Sequence, residues 1–452
     1  VIATICAVGL VAASCGGDDD TAEPAPEATD APDATDAPEA TDAPESTDAP
    51  ESTDAPESTD APEATDPPES MEATGTTVKI GLVYSESGRT ASTYGMTDGV
   101  AKAWAEWVNT EMGGVNGHVV EIVAEDGQST GEGAVAAAQK LIDAGVVGIV
   151  VEDSTAENAI AETITTAGIP MIGGTANGRP SDTGDAHWPN SYFPMATNNP
   201  ASAAGPMLAT AASGLTKFSA AVCAEVPACA EAGQLYDAVA GAVGLEYVGL
   251  VTVGAADPSY TAPCLELVSK QADVINLGLA PQTALSVIAE CQLQGYTGAY
   301  SAANNTVTAP DFESIEGLRL IGSLNGFPWW ADAEPVQTYL DVNERFGDGD
   351  DIRNTSATTT WAALELFRAA MADGPAADAE VTAADVISTY QGLSGETLGG
   401  LLPAPISFVA DGFQPAVNCM WLFDMQGGEF TTIALGESGN GAEGDLQSTC
   451  FG

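Results

Sequence analysis

The chain is short of positive charge: 11 Lys and Arg stand against 65 Asp and Glu in 452 residues, a net charge of −54. A phosphate backbone or an anionic lipid surface needs a cationic footprint, so nucleic-acid binding is excluded as a function class. Histidine is scarcer still, with His118 and His187 far apart. So few nitrogen ligands argue against a zinc site, and no metal and no cofactor are expected. A P-loop and a C-x-x-C pair are also missing, neither histidine has a nucleophile beside it in the sequence, and no enzyme activity is expected. No apolar run reaches the ~20 residues that a membrane-spanning helix needs. What is present is a chain that is 44% apolar with a mean hydropathy of +0.05. That composition excludes both whole-chain disorder and a multi-span membrane protein.

The charge is unevenly spread. Residues 1–77 hold 20 of the acids and no Lys, Arg or aromatic residue. Residues 1–14 (VIATICAVGLVAAS) form an apolar run that fits the core of a signal peptide. With no start Met and no basic stretch before it, the sequence is expected to open inside that signal. Ala12-Ala13-Ser14-Cys15 resembles a bacterial lipobox, in which Cys15 is acylated and anchors the mature chain to the outer face of the cell membrane. The alternative is an ordinary signal with an incidental cysteine. Residues 15–77 read as a disordered acidic linker in which 29–70 are seven hexads, from TDAPDA to TDPPES. One Pro and two acids per hexad bury nothing, so the segment cannot offset the entropy of ordering. At ~3.1 Å per residue an extended polyproline II tether of this length spans on the order of 130 Å. It serves either as a plain spacer or as an O-glycosylated stalk.

From Val78 the pattern changes. VKIGLVY (78–84) is a short β-rich run, and a helix is expected over 93–112, with Trp104, Val108 and Met112 on one face. Strands at 119–124, 146–151 and 169–173 then alternate with helices at 131–143 and 155–166. The rhythm resumes with helices at 201–213, 230–241, 258–269 and 281–292 and strands at 218–222, 246–253 and 273–277. Helices over 335–346, 355–372 and 382–390 precede strand-like segments at 405–409, 416–424 and 429–434. Such alternation indicates parallel α/β sheets, and about 375 residues exceed one sheet, so two α/β lobes are inferred. In open sheets of this kind ligands bind at the carboxyl ends of the strands, which places a cleft between the facing loop edges.

The stretch from Val78 through Tyr94-Gly95, then Gly113-Gly-Val-Asn-Gly-His through Asp126, Val146–Val151 and Ile169-Pro-Met-Ile-Gly-Gly-Thr-Ala-Asn177 resembles type I periplasmic solute-binding proteins. The nearest group is the leucine/isoleucine/valine-binding receptors of ABC importers. The resemblance covers roughly 78–434 and implies two Rossmann-like lobes joined by three crossing segments near 196–200, 322–328 and 400–405. It divides the chain into 78–197 plus 325–402 and 198–324 plus 403–452. It also implies that Ser154 grips a ligand carboxylate, with Thr175 and Asn177 completing that grip and Tyr94 lying against the ligand. Ser154 is placed to cap helix 155–166, where unpaired N–H groups would meet an anion, and a plain N-cap is the alternative. Tyr94 reads equally as a buried helix-start tyrosine.

The second lobe departs from amino-acid binders. Tyr300-Ser-Ala-Ala-Asn-Asn-Thr306 offers Asn304 or Asn305 where an acid would hold an ammonium. Ala280-Pro281 and Cys223-Ala-Glu-Val-Pro-Ala-Cys229 replace an aromatic and a Tyr-Gly loop. Arg89 and Arg179 fall on the expected cleft edge and could pair with an anionic ligand; a surface ion pair with a nearby acid is the plainer role for each. Phe327-Pro328-Trp329-Trp330 is expected to pack at a crossing. Six cysteines remain after Cys6 and Cys15, and in an exported chain they are expected as disulfides. Six cysteines allow 15 connectivities; Cys223–Cys229 is the simplest bridge, and Cys264–Cys291 and Cys419–Cys450 are candidate pairs beside it. The function that follows is a monomeric, lipid-anchored receptor that captures a small-molecule solute and delivers it to an ABC importer permease. A sensory subunit for a membrane signalling partner is the alternative.

Overall fold

The computed structural model describes residues 71–153, 155–174, 189–195, 199–224, 227–409 and 416–450. The signal-peptide stretch, Cys15 and the hexads lie outside the described residues. Backbone pairing begins before the expected Val78. Ala73 N donates to Asn109 O at 2.7 Å, Gly75 N to Gly117 O at 3.0 Å and Thr76 N to Ala377 O at 2.8 Å. These groups find partners on neighbouring elements, so residues 71–77 belong with the folded part.

Four strands, β1 (Thr77–Tyr84), β2 (Val119–Asp126), β3 (Gly148–Glu152) and β4 (Met171–Gly174), form a parallel sheet in the order β2-β1-β3-β4. Helices α1 (Ala91–Tyr94), α2 (Thr97–Glu111), α3 (Gly131–Ala144) and α4 (Glu157–Ala167) connect them. Both faces of this sheet are covered, which is why its strands read as continuous apolar runs rather than as alternating ones. Val78, Ile80, Leu82 and Tyr84 of β1 join one core with Trp104 and Val108 of α2. Val83 and Ile149 pack on the opposite face against Ala134, Leu141 and Ile160. Gly81 permits that close approach, since a Cβ there would stand 3.1 Å from both Ile149 Cγ1 and Leu141 Cδ1.

The chain then builds a second sheet from β5 (Lys217–Cys223), β6 (Glu246–Val253), β7 (Val274–Gly278), β8 (Ala299–Ala303) and β9 (Arg319–Leu324). Its helices are α5 (Asn199–Ala212), α6 (Pro227–Val243), α7 (Thr261–Ser269), α8 (Pro281–Leu293) and α9 (Ala309–Glu313). Next come α10 (Glu334–Phe346), α11 (Thr355–Ala370) and α12 (Ala383–Gly392), with the short strands β10 (Ser394–Glu396) and β11 (Ile406–Ser407). Helices α10 and α11 pack on α2, and α11 lies against β3 and β4, so this segment returns to the first sheet. Finally β12 (Cys419–Gln426), β13 (Glu429–Ile433) and β14 (Thr449–Cys450) rejoin the second sheet. Its order is β13-β12-β9-β8-β7-β5-β6, parallel from β5 to β9, with β12 antiparallel to β9 and β14 paired to β12.

The expected rhythm is present with three corrections. The helix expected over 93–112 is two helices, α1 and α2, and Met112 is not on the buried face but at the C-cap, 41% exposed. Helix α4 starts at Glu157 with Ala156 at its N-cap, so Ser154 is not the capping residue. The cause is Asp153, whose carboxylate takes the Thr155 N–H and hydroxyl at 2.7 Å each and holds the chain in a turn. Strands β8 and β9 add two elements that the sequence rhythm left out.

Candidate functional site

The carboxyl ends of β1, β2 and β3 meet in a rim tied together by hydroxyl groups. Ser85, directly after β1, donates to the Asp153 carboxylate and accepts the Ser129 N–H at 3.0 Å. Thr90 donates from its hydroxyl to Ser129 Oγ at 2.7 Å, and Ser129 donates to Ser87 O at 2.9 Å. Asp153 is fully buried, with donors from Ser85 and Thr155 on its two oxygens. At the end of β2, burial acts to raise the Asp126 carboxyl. Hydrogen bonds from the Ser87 hydroxyl and from the N–H groups of Gln128, Ser87 and Glu86 outweigh it and hold the group below the usual carboxylate range.

Gly127-Gln128-Ser129-Thr130-Gly131 matches the G-x-S-x-G pattern, a run that sequence reasoning missed, and it lies between strand β2 and helix α3 with Ser129 at φ 54°. A nucleophile elbow has that shape. Here the hydroxyl is committed to Ser87 and Thr90, and neither histidine is a described neighbour. His118 is buried, its ring held by Thr76 Oγ1 at 2.9 Å and Pro375 O at 3.1 Å, a structural role. His187 lies outside the described residues.

Glu152, the last residue of β3, has a different environment. It is completely buried, and among the described residues neither carboxylate oxygen has a hydrogen-bond partner within bonding geometry. Burial, then the negative charges of the buried Glu157 and Asp153, push its carboxyl well above the ordinary value, against an opposing influence from Thr359 of α11. Among the described residues, no group of three His, Cys, Asp or Glu is arranged to hold a metal ion.

Several of the expected site residues, Ser154, Thr175, Asn177 and Arg179, lie outside the described residues. Tyr94 ends α1 and is 3% exposed. Arg89 is exposed on the loop after β1, and among the described residues no carboxylate pairs with it, whereas Arg319, Arg345, Arg353 and Arg368 each hold a carboxylate. Asn304 opens a 3-10 turn with φ 48°. Its Oδ1 accepts the Asn325 N–H at 2.9 Å, and its carbonyl accepts the Thr355 hydroxyl at 3.1 Å. It therefore links the end of β8 to the segment after β9 and to the start of α11. The three disulfides form with the candidate pairing. Trp329 and Trp330 pack against Phe430 with centroids 5.4 and 4.9 Å away, and Phe327 meets Tyr339 edge-on, which is packing where the chain leaves the second sheet.

On the second sheet, a cavity of ≈ 90 Å³ opens at the carboxyl ends of β7 and β8, lined by Asn276, Gly278, Ala303 and Thr306 and roofed by Ser202 and Pro206 of α5 and Tyr236 of α6. Sequence reasoning passed over Tyr236 and Asn276. The available signal was Asn276 itself, a lone amide inside the buried apolar strand VINLG.

Residues 77–429 match the model of a family described as periplasmic binding protein. Among solved structures, a fatty acid ABC transporter substrate-binding protein from Thermomonospora curvata is similar, with a TM-score of 0.63 and 17% identity over 80% of this chain and 92% of that one. A leucine-binding protein from Thermotoga maritima has a TM-score of 0.60 and 18% identity over 79% of this chain and 98% of that one. An ABC transporter solute-binding protein from R. palustris in complex with 4-hydroxybenzoate has a TM-score of 0.61 and 16% identity over 83% and 97%. At these identities the likeness is one of fold. Among curated proteins, no relative matches the chain.

Proposed function

We propose that this chain, which belongs to the periplasmic binding protein family, is the extracytoplasmic solute-binding component of an ABC importer. It captures a small polar solute between two lobes, an amino acid of branched-chain type or a related amide or carboxylate. The observation that carries the reading is the pair of separate parallel sheets, each with polar side chains gathered at the carboxyl ends of its strands. We assign 78–197 with 325–402 to one lobe and 198–324 with 403–452 to the other. Closure is a population shift: a ligand touching both rims favours the closed arrangement by its differential affinity. Ser154, Thr175, Asn177, Tyr94, Arg89 and Asn304 are the proposed contacts. Cys15, once acylated, tethers a monomeric receptor beside its permease.

The test is a thermal-shift screen of the oxidised protein against amino acids, amides, urea, polyamines and small carboxylates. A ligand at 100 times its Kd stabilises by about 2.7 kcal/mol through linkage, a readily measured rise in Tm. A panel that leaves Tm unmoved overturns the receptor reading. If Ser154→Ala keeps every shift of the parent, the first-lobe contact set is wrong.

A further inference from the structure

The cavity at the ends of β7 and β8 has a hydrogen-bonding polarity that can be counted. Ser301 donates to Asn276 Oδ1 at 3.0 Å, which takes one of the two lone pairs of that amide oxygen. Asn276 in turn donates one Nδ2 hydrogen to the Tyr236 hydroxyl oxygen at 3.3 Å. Tyr236 keeps its own proton, because burial pushes the phenol up, and among the described residues no acceptor stands on that proton. An amide nitrogen carries two donors and a phenol one, so one Asn276 N–H and the Tyr236 O–H are unspent. Both residues line the cavity.

The ring that presents this hydroxyl is fixed. Tyr236 packs edge-on to Phe218 and Tyr247, with centroids 6.0 and 6.1 Å away. Gly278 leaves the space in front of it open, since a Cβ there would stand 3.7 Å from the Tyr236 hydroxyl. The lining residues carry no formal charge, and Leu277, Ala203 and Pro206 supply an apolar surround. A volume of ≈ 90 Å³ is well above the ~10–15 Å³ that one water needs. It suits one functional group of a ligand rather than a whole molecule.

We infer that this second-lobe pocket receives a hydrogen-bond-accepting oxygen of the solute, a carboxylate or carbonyl, and rejects an ammonium. An ammonium has only donors. Placed here it would face two unspent donors and no anion to balance its charge. This deepens the solute-receptor reading and rests on it.

The test uses matched probes on the full oxidised protein by calorimetry and thermal shift: isocaproate against isoamylamine, and 4-hydroxybenzoate against benzylamine. The carboxylate of at least one pair should bind, and its amine should not. Tyr236→Phe should then weaken the carboxylate about 2–10-fold, and Asn276→Asp should weaken it at least about 10-fold by placing an acid against it. Gly278→Ile fills the space without touching either donor and should abolish binding, with the Tm of the unliganded variant confirming that it folds. Tighter binding of the amine, or a carboxylate affinity unmoved by Tyr236→Phe and Gly278→Ile, overturns the inference and leaves the receptor reading standing. Binding of no probe here and of none in the wider screen overturns both.

Discussion

The two sheets are held together by different means. The disulfides all belong to the second: Cys223–Cys229 joins β5 to α6, Cys264–Cys291 joins α7 to α8, and Cys419–Cys450 joins β12 to β14. The first sheet relies on buried aromatic area, with Trp104 and Trp361 fully enclosed and the Trp104 indole donating to Glu365 at 2.7 Å. The difference follows composition. Strands KFSAAVC and AYSAA of the second sheet are rich in Ala and Ser; Phe218, Tyr300 and Trp421 are fully buried there, and covalent closure adds to that packing. The rims differ as well. The first gathers Asp126, Glu152 and Asp153, while the second presents an uncharged amide and phenol.

The largest effects test the means of support. Trp104→Ala removes a buried indole and leaves Glu365 with Arg368 alone, at 2.6 Å, as its described partner. It should cost about 3–5 kcal/mol in urea unfolding, with amide exchange protection lost first in β1 to β4. Replacing Cys264 and Cys291 by Ser, or Cys419 and Cys450 by Ser, opens loops of sequence separation 27 and 31. Each should cost about 3–4 kcal/mol, and opening the separation-6 bridge Cys223–Cys229 about 2 kcal/mol. Exchange should rise only in the second sheet, in β5 to β9 and, for Cys419–Cys450, in β12 to β14. If reductant leaves the unfolding midpoint where it was, the contrast in support is wrong.

How far the sequence revealed this depended on whether the cause was local. Alternating strands and helices were legible because burial on both faces writes apolar runs such as VKIGLVY directly into the chain. Strand β8 escaped notice because, Tyr300 apart, its residues are Ala and Ser, which carry little strand signal. The start of α4 was misplaced because the Asp153 carboxylate takes the Thr155 N–H and hydroxyl in a turn before the helix. Asn304 read as a free polar group, yet its Oδ1 meets the Asn325 N–H, a partner set by the fold and not by spacing. The disulfides were readable from an even cysteine count and proximity along the chain.

Glu152 tests the acidic rim, with an effect of middle size and opposite sign. Its carboxyl is raised above the ordinary 4.5 in the folded chain by burial and by Glu157 and Asp153. The folded state therefore holds the proton more tightly than the unfolded one. Stability from this group is fully present below about pH 4.5 and is lost as pH rises from there through the folded value. Glu152→Gln removes that dependence, so the Tm difference between variant and parent should grow with pH over this window. At neutral pH the variant should be more stable by about 1–3 kcal/mol. A constant difference would mean that Glu152 has found a partner and that the rim is not acid-strained.

The smallest effect on stability, and the sharpest test of the two rims, comes from Arg89. It is exposed and has no carboxylate partner among the described residues, so Arg89→Ala should move stability by no more than about 0.5 kcal/mol. Its position on the loop after β1 lets it meet an anionic solute through solvent. An exposed charge pair of this kind is worth about 0.2–1 kcal/mol, a loss of about 1.5–5-fold in carboxylate affinity. The loss should appear mainly in the association rate and fade as salt shortens the screening length. The weakening caused by Tyr236→Phe comes instead from a desolvated hydrogen bond and should persist at the same high salt. Equal salt sensitivity of the two variants would show that both residues act through solvent, and the distinction between a charged first rim and a dry, neutral second one would be lost.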